Sequence, residues 1–267
     1  HSLSVTAVDK AGNPSEAGPR RYEFEVAGAQ VSGQWFLDEG TGTTAAAHTG
    51  DGETVTKALT LDTTLIEWVY GPGGAGDRAL KFSTLDSAHT SGNVVTTGGT
   101  FSVGAFVKLN DLTATGTAVS QDGANTSGFE LGVRTSGCPG SRTICWAFSR
   151  KTTDTVGATV VTATSEVAVT AGDWFYLVGQ YNKAAQKMQL WVCRADVAGV
   201  DPKSTGMLDV SDSYTPWVAS GDFRVGTAFG DGGLTRRWRG AVGAVRTYSG
   251  GFLGADEVAA DCGYKVP

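Results

Sequence analysis

The feature that most restricts the fold is a repeated two-residue alternation of apolar and polar side chains. From Val31 to the C-terminus, stretches such as 101–107 (FSVGAFV) and 128–133 (GFELGV) place apolar residues at every second position. This period puts successive side chains on opposite faces of a β-strand. A long series of such short strands joined by turns predicts an all-β fold, a two-sheet antiparallel sandwich of the jelly-roll kind. Residues 253–260 alone predict a short helix.

The composition agrees with many strands joined by tight turns. Glycine accounts for 38 of the 267 residues, and charged residues for 18%, below the usual share of about 25%. Threonine and valine favour strands, whereas helices favour leucine, glutamate, lysine and arginine. The composition therefore disfavours a largely helical fold.

Charge and hydropathy argue against two classes of partner. The net charge is −6, and the one dense basic cluster is Arg236-Arg237-Trp238-Arg239, which we interpret as a solvated strand edge. A nucleic-acid surface needs clustered lysine and arginine, so we expect no nucleic-acid binding. No stretch of the sequence approaches the ~20 apolar residues of a membrane span.

The N-terminal residues predict a fragment of a separate domain. Two alternating stretches, 3–8 and 21–26, flank a loop of turn residues. With its loop Ala7-Val-Asp-Lys-Ala-Gly-Asn13, this hairpin resembles the last hairpin of a bacterial immunoglobulin-like repeat. The expected divisions are a partial immunoglobulin-like hairpin at 1–28, a short linker at 27–30 and a jelly-roll domain at 31–267. Because the chain starts inside a strand without a signal peptide, we expect it to be a segment of a longer secreted protein.

Four cysteines predict an oxidising compartment. Six residues separate Cys138 from Cys145, which fits neither the close pairs of a zinc site nor the Cys-x-x-Cys of a redox motif. The intervening residues form turns and alternating strands flank them, so we favour a disulfide across a hairpin loop. Four cysteines allow three pairings. Among these we choose Cys138–Cys145 with Cys193–Cys262, which would tie the C-terminus to the sandwich and favours an extracellular location.

A series of motifs resembles a known family. The series is Trp35–Ala45, Gly76–Phe82, Thr100–Val107, Ala118–Gly123, Val169–Val178, Gln189–Val192 and Trp238–Tyr248. In this order the motifs resemble the LamG-like jelly-roll domains of the concanavalin A-like superfamily, over about residues 31–267. The resemblance implies two antiparallel sheets packed face to face, with one concave face. It also implies a role in binding or adhesion, often of sugars, and seldom catalysis.

The resemblance raises the question of a structural calcium ion, which LamG-like domains often hold through carboxylates. Here Ala47 stands where the first acidic ligand is expected, and Gly243-Ala244 replace the acidic pair of the last strand. Calcium needs six to eight oxygen ligands, so losing these carboxylates weakens the site sharply. We therefore expect no cofactor, although Asp51 or Glu53 could still contribute to a weak calcium site.

Catalytic residues are not expected. Glycoside hydrolases need two facing carboxylates, which alternation would place on one face of a strand. Asp122 and Glu130 bracket a turn instead, and no other pair has the required pattern in the jelly-roll segment. His48 and His89 lie in predicted loops as solvated side chains, so neither predicts a Ser-His-Asp triad.

Aromatic residues in loops are the candidates for stacking against sugars, because exposed loop aromatics often mark binding sites. The candidate ligand contacts are Trp68, Tyr70, Tyr214, Trp217 and Trp238. The pairs Trp68–Tyr70 and Tyr214–Trp217 are preferred because they lie beside turn residues. Three other tryptophans lie within apolar strands and are expected in the core between the sheets: Trp35, Trp174 and Trp191.

The sequence therefore predicts a non-catalytic binding or adhesion module of a larger secreted or cell-surface bacterial protein. The expected partner is a polysaccharide or glycan, or else a surface protein. Two alternatives stay open. A structural spacer or protein-adhesion domain would lack an exposed aromatic cluster, and a divergent glycoside hydrolase would carry two carboxylates about 5–10 Å apart in a cleft.

Overall fold

The computed structural model describes residues 2–6, 8–14, 20–23, 28–49, 52–62, 65–197, 199–210 and 216–263. In these residues the chain forms a long series of strands and a single helix near the C-terminus. The first strands are β1 (Ser2–Val5), β2 (Arg20–Glu23), β3 (Gln30–Trp35), β4 (Thr44–Ala45), β5 (Leu59–Leu61), β6 (Glu67–Gly71), β7 (Gly74–Phe82), β8 (Ala88–His89), β9 (Phe101–Leu109), β10 (Gly116–Asp122) and β11 (Ser127–Arg134). The remaining elements are β12 (Cys145–Lys151), β13 (Val160–Thr164), β14 (Trp174–Asn182), β15 (Lys187–Arg194), β16 (Lys203–Ser204), β17 (Leu208–Asp209), β18 (Phe223–Val225), β19 (Ala228–Gly230), β20 (Gly233–Thr235), β21 (Gly240–Ser249) and α1 (Ala255–Gly263).

Two antiparallel sheets pack face to face in the described part of the chain. The front sheet has eight strands in the order β13-β12-β11-β10-β18-β8-β5-β4. The back sheet has the order β16-β15-β14-β9-β21-β7-β6, with β17 also paired to β15 and β3 to β21. This is the two-layer sandwich predicted from the alternation, and the fold-class prediction is confirmed.

The main core lies between the two sheets. Along β11, the alternate residues Phe129, Leu131 and Val133 are buried and belong to this core. Trp35 is also fully buried and stacks on Phe223 of the front sheet, with ring centroids 5.3 Å apart. The predicted core position of Trp35 is therefore confirmed, and aromatic pairs of this kind stabilise the sandwich beyond the area that they bury.

The back sheet is buried on both faces. Its strand β14 is buried at every position except the last. The face turned away from the front sheet is covered by α1 and carries a second apolar cluster. Trp174 belongs to this cluster and Trp191 packs against it, so their predicted place between the sheets was wrong. A strand with two apolar faces does not reveal which face meets the other sheet, because both faces show the same pattern.

Helix α1 begins two residues later than predicted. The carboxylate of Glu257 accepts a hydrogen bond from Gly254 N at 2.6 Å, which caps the first turn. At the other end, Asp261 accepts from the Tyr176 hydroxyl at 3.0 Å and pairs with Arg246. These contacts hold the helix on the outer face of the back sheet.

Both chosen cysteine pairs are bonded in the structure. Cys138–Cys145 closes the loop between β11 and β12, and Cys193–Cys262 joins β15 to α1. The second bond ties the C-terminal helix to the sandwich, as the choice of pairing required.

The N-terminal strands β1 and β2 form a two-stranded antiparallel sheet of their own. Between them, the Asp9 carboxylate accepts hydrogen bonds from the backbone N–H groups of Ala11 and Asn13, at 2.8 and 2.9 Å. This is the turn predicted from the loop sequence. Gln30 belongs to β3, so the predicted linker is shorter than 27–30. The division into an immunoglobulin-like fragment at 1–28 and a jelly-roll domain at 31–267 stays a prediction.

Candidate functional site

The outward face of the front sheet carries a polar trough. Because Phe129, Leu131 and Val133 point into the core, the residues between them along β11 point away from it. Across this face lies a cavity of about 120 Å³. We call it the trough: its walls include Thr117, Glu130, Arg134, Ser149, Lys151 and Arg236, and its floor is Gly132 and Ala147.

The floor of the trough is low because its residues are small. Gly132 pairs with Ala147 of β12 on one side and with Thr117 of β10 on the other. A Cβ at Gly132 would lie 2.2 Å from the carbonyl oxygen of Gly116, so this position requires glycine. The longer side chains of the trough walls therefore stand above Gly132 and Ala147 and leave room for a ligand between them.

Hydrogen bonds hold the walls of the trough in place. Glu130 accepts two bonds from the Arg236 guanidinium, from Nε at 2.6 Å and from Nη2 at 2.8 Å. On the other wall, Arg134 Nη1 donates to the Thr162 hydroxyl, which also lies 3.0 Å from the Ser149 hydroxyl. A bidentate pair and a hydroxyl chain fix the orientation of these groups before any ligand binds.

A short hairpin, β19–β20, covers the neighbouring part of the same face. The Ser120 hydroxyl donates to Thr227 O at 2.9 Å, and Phe229 N donates to the Ser127 hydroxyl at 2.8 Å. Both serines are buried although they lie on outward positions of β10 and β11. The trough thus lies on the side of this hairpin that faces β11, β12 and β13.

A second polar cluster lies towards β18, β8 and β5. Arg224 contacts three carboxylates: Asp122 at 2.5 Å, Asp222 at 3.3 Å and Asp62 at 3.8 Å. Asp62 also pairs with His89 Nδ1 at 2.5 Å. His89 therefore lies on β8 in contact with the Asp62 carboxylate, and its predicted place as a solvated loop residue was wrong. All three carboxylates therefore lie around one cation of the protein itself, Arg224.

Asp122 is the most perturbed acid in this cluster. It is buried, and its Oδ1 has no hydrogen-bond partner. Burial raises its pKa from 3.8 to about 6, against the opposing effects of Arg224 and His89 and together with the repulsion from Asp222. The folded state therefore favours the protonated form of this group more than the unfolded chain does.

The shift of Asp122 predicts a pH dependence of stability. The stability that Asp122 contributes to the folded state is fully present below the pKa of 3.8 that it has in the unfolded chain. This stability is lost as the pH rises through about 6, the pKa of Asp122 in the folded state. We expect Asp122→Asn to remove this decline, so that its free energy of unfolding falls less than that of the unmodified protein across this range. Urea unfolding at several pH values checks the slope.

Asp111→Asn is the matched control for this measurement. Hydrogen bonds from Thr113 and Arg239 lower the pKa of Asp111 to about 2, so its contribution is lost only as the pH falls towards that value. Above pH 4, the free energy of unfolding of Asp111→Asn should change with pH as steeply as that of the unmodified protein. If the free energy of unfolding of Asp122→Asn changed with pH just as steeply, the pH dependence could not be attributed to the raised pKa of Asp122.

Among the predicted aromatic contacts, Trp68 and Tyr70 lie on the edge strand β6. The Trp68 side chain is half-buried against the main core, and its Nε1 donates to Gly42 O at 3.4 Å. Tyr70 is 58% exposed, and the Arg78 guanidinium lies over its ring, 4.6 Å from the centroid. Of this pair, Tyr70 offers the more accessible ring, and a ligand role for either residue stays a prediction.

Trp217 is hydrogen-bonded to the end of β12 and does not line the trough cavity. Its Nε1 donates to the carbonyl of Lys151, a trough residue, at 2.8 Å. The ring is half-buried, and a Cβ at Gly123 would lie 2.6 Å from it. Tyr214, the predicted neighbour of Trp217, lies outside the described residues. The Trp217 ring is partly accessible, but its N–H already donates to Lys151 O. A ligand role for Trp217 stays a prediction.

The proposal of Trp238 as a ligand contact was wrong. Trp238 is fully buried in the main core, and its Nε1 donates to Ala241 O at 3.2 Å. The flanking arginines suggested exposure, yet each is half-buried with a partner of its own: Arg236 with Glu130, Arg237 with Leu85 O, and Arg239 with Asp111. The basic cluster is therefore not a solvated edge, because each arginine is held by its own partner while the Trp238 ring packs into the core.

The sequence reasoning missed the trough. The apolar positions of Gly128–Val133 predict a strand, and the available signals of the trough were Glu130 within this segment and Arg134 directly after it. Asp122 and Glu130 bracket a turn, as predicted, and the structure places both on the outward side of the sheet, beside different cations. Nothing local in the sequence links Glu130 to Arg236.

The described residues contain no cluster of three or more histidine, cysteine or acidic side chains that could hold a metal ion. Glu39 accepts a hydrogen bond from Ala46 N at 2.6 Å, which occupies one carboxylate oxygen near the expected site. Asp51 lies outside the described residues, and the loss of the calcium site stays a prediction.

None of the helices found in the described residues has the length and apolar character that crossing a bilayer requires.

Comparison with protein families gives one match. The family described as "Concanavalin A-like lectin/glucanases superfamily" matches residues 82–259. These residues include the strands that form the trough and the fully buried Trp238. No curated protein sequence matches the chain.

Solved structures share the fold at low sequence identity. Domain 4 of AbnA, a GH43 extracellular arabinanase from Geobacillus stearothermophilus solved in complex with arabinotriose, is 14% identical with a TM-score of 0.60; the match covers 88% of this chain and 99% of that domain. Trypanosoma rangeli sialidase in complex with the inhibitor DANA is 12% identical with a TM-score of 0.54, over 89% of this chain and 33% of that chain. The binding domain of Paraclostridial Mosquitocidal Protein 1 is 11% identical with a TM-score of 0.53, over 88% of this chain and 52% of that chain. At these identities the likeness concerns the fold.

Proposed function

Because this chain belongs to the concanavalin A-like lectin/glucanase superfamily, we propose that it is a non-catalytic carbohydrate-binding domain of a secreted or cell-surface protein. The sugar binds in the trough on the front sheet. Two disulfides suit an extracellular, oxidising environment. The domain with the TM-score of 0.60 was solved with a bound arabinotriose, and it lends support through its fold alone.

The observation that carries this proposal is the polar array of the trough. Hydroxyls of Thr117 and Ser149, the Glu130 carboxylate and the cations of Arg134 and Lys151 surround one shallow cavity. A sugar presents hydroxyls that both donate and accept, so convergent groups of both kinds suit it. These groups are placed by neighbouring strands of a rigid sheet, which favours a defined binding geometry. A larger cavity of about 590 Å³ lies beside β16, but loop residues make up much of its lining.

The arrangement of carboxylates favours binding over catalysis. Among the described residues that line the trough cavity, Glu130 is the one carboxylate, and both of its oxygens accept from Arg236. Hydrolysis of a glycosidic bond needs a second carboxylate across the bond. Incubating the protein with each bound polysaccharide and measuring new reducing ends tests this directly, since any release of sugar would overturn the non-catalytic role.

Blocking the trough should abolish binding. Ala147→Trp places an indole on the floor, and we expect retention on insoluble polysaccharides and bacterial cell walls to fall at least tenfold, because the ligand loses about 1.4 kcal/mol or more. The pull-down is run with the purified chain in EDTA and repeated with calcium. Equal retention in both is expected, since Ala47 and Gly243-Ala244 stand where a LamG-like calcium site would have its acidic ligands.

Two variants make this test specific. Thr60→Trp adds the same bulk to an exposed position of the front sheet outside the trough and should leave retention unchanged. Tyr70→Ala removes the exposed ring on β6 and should also leave it unchanged. Loss with Tyr70→Ala but not with Ala147→Trp would move the site to β6. No retention of the unmodified protein on any surface would favour a spacer or protein-adhesion domain.

A further inference from the structure

The trough holds more positive than negative charge. Three cations, Arg134, Lys151 and Arg236, line it together with one acid, Glu130. Glu130 neutralises Arg236 through two hydrogen bonds. Arg134 and Lys151 form no ion pair with any described residue, so the trough keeps two unneutralised cations in a chain whose net charge is −6.

The guanidinium of Arg134 has donors that make no hydrogen bond with a described residue. Its Nη1 donates to the Thr162 hydroxyl at 2.5 Å. Its Nε–H is buried and has no hydrogen-bond partner in the described structure, and Nη2 makes no hydrogen bond either. The Nε–H is out of reach of a ligand because it is buried, so Nη2 is the donor of this guanidinium that is left for a carboxylate oxygen in the trough. A hydrogen bond from a charged donor to a carboxylate is shorter and stronger than one between neutral groups.

From these two observations, and resting on the proposed function, we infer that the trough is specific for an acidic sugar and binds its carboxylate between Arg134 and Lys151. The cavity of about 120 Å³ receives the carboxylate, while the sugar ring lies across the open side. Thr162 holds Arg134 through Nη1 and so fixes the guanidinium in the wall of the trough. A uronic-acid polymer is the ligand class that this chemistry fits best.

The test compares one polymer in two charge states. Binding of the purified chain to polygalacturonate and to its fully methyl-esterified form is measured by affinity electrophoresis and titration calorimetry at constant ionic strength. We expect binding to the acid form to be at least tenfold tighter, because esterification removes the charge and keeps the sugar. Dextran sulfate at equal charge density serves as the sulfate probe and should bind at least tenfold more weakly than the carboxylate polymer.

Variants locate the subsite. Arg134→Gln and Lys151→Gln should each weaken binding to the acid form about tenfold or more and leave the melting temperature close to that of the unmodified protein. Lys183→Gln removes one positive charge from an exposed turn far along the back sheet and should have no effect.

The outcomes separate this inference from the proposed function. Equal binding of the acid and ester forms, with loss in Ala147→Trp, would overturn acidic specificity and keep a neutral sugar in the trough. Equal effects of Lys183→Gln and Arg134→Gln, or tight binding of dextran sulfate, would indicate non-specific attraction between charges and overturn the subsite. Failure to bind any saccharide would overturn both.

Discussion

Replacing Trp238 by Ala is expected to lower the free energy of unfolding by about 3–5 kcal/mol, the usual cost of truncating a buried aromatic side chain. Trp238 is fully buried in the main core, and its Nε1 donates to Ala241 O. Truncation would leave a cavity between the sheets and an acceptor without its partner. Urea unfolding followed by far-UV circular dichroism measures the change.

The matched control for Trp238 is an aromatic residue on the surface. Tyr70 is 58% exposed, so Tyr70→Ala should change the free energy of unfolding by no more than about 0.5 kcal/mol. If Trp238 were instead a ligand contact, its replacement would weaken sugar retention while stability stayed near that of the unmodified protein. That result would contradict the buried position of the ring. A Trp238→Phe variant retains most of the volume and should lose less stability than Trp238→Ala.

Replacing both Cys193 and Cys262 by Ala is expected to reduce the free energy of unfolding by about 4 kcal/mol on the chain-entropy model. The bond joins residues separated by 69 positions in sequence, so it restricts the unfolded chain over a long loop. It also fastens α1 to the back sheet. Guanidinium unfolding gives the change in stability, and hydrogen exchange in α1 should rise because the helix then depends on contacts such as Asp261–Arg246.

The other disulfide provides the comparison. Cys138 and Cys145 are separated by 7 positions, so replacing both by Ala should cost about 2–3 kcal/mol on the same model. Hydrogen exchange in α1 should stay unchanged in that variant, because the bond lies at the β11–β12 loop. Equal losses in the two double variants, with no change in α1, would contradict the anchoring role of Cys193–Cys262.

Local patterns predicted much of the fold and little of the candidate site. The alternation in β11 placed Phe129, Leu131 and Val133 on one face, and the structure buries all three. The same pattern could not place Trp174, because in β14 both faces are apolar and each is covered by a different layer. Trp238 was misplaced for a different reason: its three charged neighbours indicated exposure, whereas each of them has a partner of its own and the indole ring packs into the core.

The sequence by itself determined the strands, their turns and the cysteine chemistry, because alternation, glycine placement and cysteine spacing act between residues that are close along the chain. Tertiary structure alone decided the trough. Glu130 meets Arg236 across 106 positions in sequence, and Arg134 meets Thr162 across 28. Such contacts depend on which strands become neighbours and on which face is left open, and these are set by how the two sheets and the β19–β20 hairpin pack together.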